Sequence, residues 1–218
     1  MPVKSELTEL DMKINVKKSM CIRFGKRFDE HCAELVSVQG GPIMWVDSCR
    51  YLGVYFLSGR SFRCCLDDAK SRFFRAFNAI YSKVGRFASE TVILNLIRTK
   101  CLPILLYATE ACPLLSRQKH SLEFTVTRIF MRIFRTGSMD IVKQCQCNFG
   151  FLSVSCQLSV RTARFLQKFV ASENSLCLLF SRTASDQLAK IFSFFDDDIK
   201  TACQLNNFLY ELLSVSFN

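Results

Sequence analysis

Near residue 60 the spacing of apolar side chains changes, and that change limits the fold more than any other feature of the chain. Before it, short apolar runs are cut by turn chemistry. "MCIRFG" (Met20 to Gly25) alternates and stops at Gly25, "CAELVSVQG" runs into Gly40-Gly41-Pro42, and "IMWV" and "YLGVYF" follow. Alternation over a few residues between glycines and prolines predicts half-buried strands, here a small antiparallel sheet. Ahead of them, "SELTELDMKI" fits the tail of a helix. From Phe62 onward, Leu66, Ala69, Phe73, Phe77, Ile80, Val84 and Phe87 recur at steps of three and four, the stripe of a helix facing a core. Arg72, Arg75, Lys83 and Arg86 lie along another face of that helix.

The helical pattern then continues. Ser89 is placed to cap a second helix, from Glu90 to about Cys112, which Pro103 kinks by removing an amide donor. Ser116 opens a third, with Leu122, Val126, Phe130 and Ile133 inward and Arg128, Arg132 and Arg135 aligned at i, i+4 and i+7. Further helices are expected from about Ser155 to Ala171, a Ser-Glu-Asn turn later from Asp186 to Phe195, and from Asp198 to Leu213. The expected architecture is α+β: a small sheet over residues 1–60, a basic helical bundle over 61–137 and a helical extension over 138–218.

Half of the 218 residues are apolar and 22% are charged, enough to bury a core and too apolar for a disordered chain. "MPVKSELTEL" has no apolar stretch of the kind a secretory signal needs, so a nuclear or cytoplasmic protein is expected, not a secreted one. The apolar run "CLPILLYAT" (Cys101 to Thr109) ends at Glu110, well short of the roughly 18 residues that span a bilayer. The twelve cysteines show no C-x-x-C spacing. Only Cys64-Cys65 and Cys145-x-Cys147 are close, and His31 and His120 are far apart, which argues against a zinc site and for reduced thiols.

Charge is distributed unevenly. Residues 1–59 carry 8 Lys and Arg against 7 Asp and Glu, residues 60–135 carry 14 against 5, and residues 136–218 carry 7 against 7. The central segment therefore holds nearly all of the net +10, which points to a polyanionic partner for that region.

Three segments, in order, give this chain a family likeness. "LTELDMKINVKKSMCIRFG" contains Asn15, Lys18 and Ser19 ahead of a strand. "CRYLGVYF" carries Tyr51, Leu52 and Gly53. "ASETVILNLIRTKCLPILLYATEA" carries Leu102, Pro103, Leu105, Leu106, Tyr107 and Glu110. Together they resemble the reverse transcriptases of LINE-type (non-LTR) retrotransposons: the Asn-x-x-Lys-Thr/Ser segment of the palm, the Tyr-Leu-Gly primer grip, and the thumb run Leu-Pro-x-Leu-Leu-Tyr-Gly-x-Glu. Ala108 stands where that run usually has glycine. The likeness covers residues 5–135 and is weak beyond them.

The resemblance implies a template-primer nucleic acid as partner, gripped without regard to sequence. Tyr51, Leu52 and Gly53 would form the primer grip, where a glycine lets backbone approach backbone and where Tyr51 or Leu52 faces the core. Arg72, Arg75, Lys83, Arg86, Arg128, Arg132 and Arg135 would contact phosphates. Lys18 would lie near the departing pyrophosphate or, on the plainer reading, help tie down its turn. In the family, magnesium held by aspartates does the chemistry, and both aspartate motifs precede the Asn-x-x-Lys segment; this chain is expected to lack them and the metal, and so to bind without polymerising. Asp67-Asp68 and Asp196 to Asp198 fall in the wrong order for those motifs and suit helix starts. A helical interaction protein or a retrotransposon relic that binds no nucleic acid, with a protein partner at an exposed palm face, is the alternative.

Overall fold

The computed structural model describes residues 14–37 and 40–198, the last five by backbone alone. The expected helices before Lys13 and after Asp198 lie outside the described residues. The chain divides into two compact units, one up to Leu66 and one from Asp67. The fold is mixed α+β, with two three-stranded sheets and six helical stretches among the described residues.

The first unit contains both sheets. Strands β1 (Met20–Cys21), β2 (Leu35–Val36) and β3 (Pro42–Trp45) are ordered β1-β3-β2. β2 pairs antiparallel with β3, but β1 pairs parallel, Met20 opposite Met44 and Cys21 opposite Trp45. The expected all-antiparallel sheet is therefore corrected. The strand predicted through Phe24 stops at Cys21 because the following residues are held elsewhere. Ser58 Oγ donates to Arg23 O at 3.0 Å, and Gly25 N–H donates to Gly59 O at 3.0 Å.

Strands β4 (Ser48–Tyr51), β5 (Val54–Leu57) and β6 (Arg63–Cys65) form an antiparallel meander. β6 lies where a helical period was expected from Phe62 onward; Cys64 is buried between an exposed Arg63 and a half-buried Cys65, the alternation of a strand. Phe62 stacks obliquely on Phe56 and Phe24, with centroids 5.0 and 5.2 Å apart.

The second unit is helical. α1 (Asp67–Val84) buries Phe73 and Phe77 completely. It starts favourably: Asp67 and Asp68 sit in its first turn, where carboxylates suit the helix dipole. Phe87, expected on the inner stripe, lies past the helix end and is 89% exposed.

The predicted helix to Cys112 is shorter. α2 covers 90–105 and widens to a π turn over Ile97–Cys101, where Leu102 N–H bonds to Ile97 O. Proline at 103 supplies no N–H, and its ring crowds the carbonyl four residues back; the wider turn immediately before it takes up that mismatch. After Leu106 the chain turns through Ala108, whose φ of 57° is left-handed. An L side chain there is strained where glycine is not. Ala108→Gly is expected to raise stability by up to about 1 kcal/mol, read as a higher urea midpoint at an unchanged m-value.

α3 (Ser116–Ile133) runs through the centre of this unit, with Leu122, Val126, Ile129 and Phe130 at most 1% exposed. Thr136 N–H returns to Met131 O at 3.1 Å around a left-handed Arg135 (φ 50°), a Schellman-type stop. Arg135 is thus a helix terminator and not a third member of an i, i+4, i+7 row. α4 (Met139–Asn148) had no forecast. α5 (Val154–Val170) follows its expected span, with Ser153 Oγ accepting from Cys156 N–H at its start. α6 (Ser175–Asp198) begins eleven residues before the predicted Asp186 and packs along α5. Asp196 and Asp197, expected at a helix start, lie within this helix in the described backbone. No helix among the described residues is long and apolar enough to cross a membrane.

Candidate nucleic-acid interface

The Tyr-Leu-Gly step forms a two-residue hairpin loop. Tyr51 pairs with Val54, and both loop residues have positive φ, 47° at Leu52 and 83° at Gly53. That pattern matches a type I′ turn, whose handedness suits twisted strands and whose second position favours glycine. Leucine at the first position is a strained choice. Tyr51 is 63% exposed and Leu52 is 72% exposed; neither faces a core, contrary to expectation. The Tyr51 ring lies 6.5 Å from Phe56, at the end of the aromatic row that continues to Phe62 and Phe24. Leu52 and Tyr51 thus stand at a projecting tip.

The seven basic candidates fall into two groups. Arg128 and Arg132 leave α3 and lie over rings of α1: Arg128 over Phe74 at 5.7 Å, and Arg132 over Phe77 at 5.6 Å and Tyr81 at 5.1 Å. Arg132 Nη1 also donates to Asn78 Oδ1 at 2.7 Å. A guanidinium held flat on a ring is attracted by the ring's negative face and keeps edge N–H groups for another acceptor. Arg72 sits 3.0 Å from Asp68 Oδ2, an ion pair without a hydrogen bond from its Nε. These three are built into the α1–α3 region.

Arg75, Lys83, Arg86 and Arg135 are exposed. At 100° per residue, Arg75 and Lys83 fall within about 80° of each other around α1, and Arg86 lies two residues beyond its end. Beyond Asp68 no carboxylate occurs on α1, and none follows Glu123 on α3. The partners Phe74, Asn78 and Tyr81 were not forecast. Their role depends on which helix lies opposite, which the spacing within one helix does not reveal.

Other cations serve structure. Arg98 Nη2 donates to Gly150 O at 3.1 Å, and its guanidinium stacks on Phe151 at 5.6 Å. Arg161 on α5 forms a two-point ion pair with Glu110, at 3.4 and 3.5 Å, so the segment that follows α2 is tied to α5. Lys18 is exposed on a turn closed by Asn15, whose carbonyl accepts from Lys18 N–H at 3.0 Å and Ser19 N–H at 2.9 Å.

Glu123 on α3 points at the start of α5, its Oε2 accepting from Ser155 N–H at 3.3 Å. Burial pushes its carboxyl above the ordinary range, while the Ser155 and Val154 amides and the nearby His120 pull it down less strongly. A carboxyl raised in the folded state stabilises most below its unfolded pKa, and that contribution is lost as pH rises through the folded value. Glu123→Gln keeps an acceptor and removes the buried charge. Its melting temperature is expected to exceed the parent's at about pH 7.5, and the gain is expected to vanish towards about pH 4, as thermal melts across that range would show.

Asp67 pairs with Lys70 at 2.7 Å and Asp68 with Arg72. Among the described residues no three His, Cys, Asp or Glu side chains are grouped to hold a metal. No family model, curated protein or solved structure matches this chain.

Proposed function

We propose that this chain is the primer-grip and thumb portion of a LINE-type reverse transcriptase, a clamp for a template-primer duplex that does no nucleotidyl transfer by itself. The observation that carries the reading is the α1–α3 surface. There Arg128 and Arg132 lie over the rings of Phe74, Phe77 and Tyr81, on the helix that also carries the exposed Arg75, in a region of 14 basic and 5 acidic residues. Guanidiniums positioned over rings suit phosphate oxygens, and such contacts carry no sequence information. The exposed Tyr-Leu-Gly tip fits a grip on a strand end. Left-handed Ala108 gives a physical reason for the glycine usual there in the family.

The reading predicts that the chain binds two RNA–DNA hybrids of unrelated sequence with equal affinity, as fluorescence anisotropy would measure. Tenfold discrimination between them would count against it. The exposed Leu176, Leu178, Leu179 and Phe180 at the start of α6 favour a second reading, a protein-interaction scaffold or relic. That reading predicts a stoichiometric protein partner and no affinity for nucleic acid.

A further inference from the structure

A pocket of about 430 Å³ opens in the helical unit between α3, α4, the link that joins α4 to α5 and the first turn of α5. Its walls mix chemistries: Glu123 from α3, Lys143 and Gln146 from α4, and Phe151 and Leu152 from the link. We infer that this pocket is a binding site for a guanine nucleotide.

Two incomplete polar groups give the first reason. Gln146 Nε2 is buried and has no hydrogen-bond partner among the described residues. Buried amide donors are nearly always paired, so one that lines a pocket marks where an acceptor belongs. Glu123 stands in the same pocket with acceptor capacity to spare. A carboxylate offers about four acceptor positions, and the Ser155 and Val154 amides take two of them. The edge of guanine is the complement of this pair. Its carbonyl oxygen accepts, while its ring N–H and exocyclic amino group donate side by side.

The surroundings give the second. Phe151 and Leu152 are both buried and form an apolar wall of the kind that packs against a base. Lys143 and His120 line the same pocket and are exposed, which suits the phosphate of a nucleotide whose base lies inward. The volume falls in the range that holds small organic ligands.

The third is the cost of Glu123 to the fold. Burial disfavours its charged form, and Gln at this position is expected to stabilise the chain. A charge kept at such a cost is characteristic of a ligand site. The described residues that line the pocket include none of the seven basic candidates, so the inference stands or fails separately from the duplex clamp.

Isothermal titration of the full chain tests it. GMP is expected to bind about tenfold or more tightly than AMP, whose base edge carries a single amino group, with IMP, which lacks the exocyclic amino group, between them. Glu123→Gln is expected to weaken GMP about tenfold while melting no lower than the parent, and Gln146→Leu to weaken it by a similar factor. Should Gln146→Leu fail to fold, Glu123→Gln and the comparison with AMP decide. Two single-stranded RNAs, one all uridine and one with a single guanine, identify the source of the ligand. A gain of about tenfold from the guanine makes it an unpaired base in RNA; equal binding of the two strands makes it the free nucleotide. Equal affinity for GMP and AMP would overturn the inference, as would GMP binding that both substitutions leave unchanged. So would the absence of GMP binding, which would leave water as the partner of Gln146.

Discussion

Phe130→Ala is expected to remove about 3–5 kcal/mol of stability, the range for a large buried aromatic replaced by a methyl group. Phe130 is fully buried on α3, edge-on to Phe151 with centroids 4.8 Å apart and stacked near Phe134 at 5.9 Å. Its ring joins the central helix to the loop that leads into α5, so deleting it opens a cavity bounded by more than one element. Domains of this kind are stable by about 5–15 kcal/mol; the variant should therefore unfold at markedly lower urea. Phe130→Leu should recover much of the loss, since it leaves a smaller void. A Phe130→Ala loss below about 1 kcal/mol would mean that the centre of the helical unit lies elsewhere.

The second large effect concerns charge. Replacing Arg75, Lys83 and Arg86 together by alanine is expected to weaken binding to an RNA–DNA hybrid at least tenfold at low salt and to flatten the salt dependence by about three units of slope, one per lost phosphate contact. These three are the informative positions because they are exposed and have no ion pair, hydrogen bond or ring contact among the described residues. Removing Arg128 or Arg132 also deletes ring and Asn78 contacts and would mix binding with folding. Unchanged melting of the triple variant alongside lost binding would separate the two. Unchanged binding would remove phosphate contact from the role of α1.

The contrast between what the sequence disclosed and what it hid has a physical pattern. α1, α3 and α5 were legible because each repeats its apolar residues over four or five turns, as in Leu122, Val126, Phe130 and Ile133. The hairpin of β4 and β5 was legible because Tyr51-Leu52-Gly53-Val54 joins alternation to a glycine at a fixed place. What failed depended on partners distant in sequence. Nothing near Met20 indicates that it pairs parallel with Met44, and the strand nature of Arg63–Cys65 comes from pairing with β5.

Helix ends failed for a different reason. Ala108 and Arg135 both adopt left-handed backbone without being glycine, so the usual stop signal is missing at both. The start of α6 was missed because Leu176, Leu178, Leu179 and Phe180 show no single face; all four are exposed, and the inward stripe runs instead through Cys177, Ser181 and Ala184. At the candidate interface, spacing grouped seven basic residues as candidates, of which Arg135 ends α3 and does not extend its row. Which of them lie on rings and which point to solvent depends on the packing of α1 against α3.

The most direct measurement is the affinity of the full chain for a short RNA–DNA hybrid as salt rises from about 0.05 to about 0.2 M. A clamp built on phosphate contacts predicts that log K falls linearly with log salt, with a slope of roughly −3 or steeper, and does so alike for hybrids of unrelated sequence. Absence of binding at the lowest salt, or an affinity that salt leaves unchanged, would contradict the account.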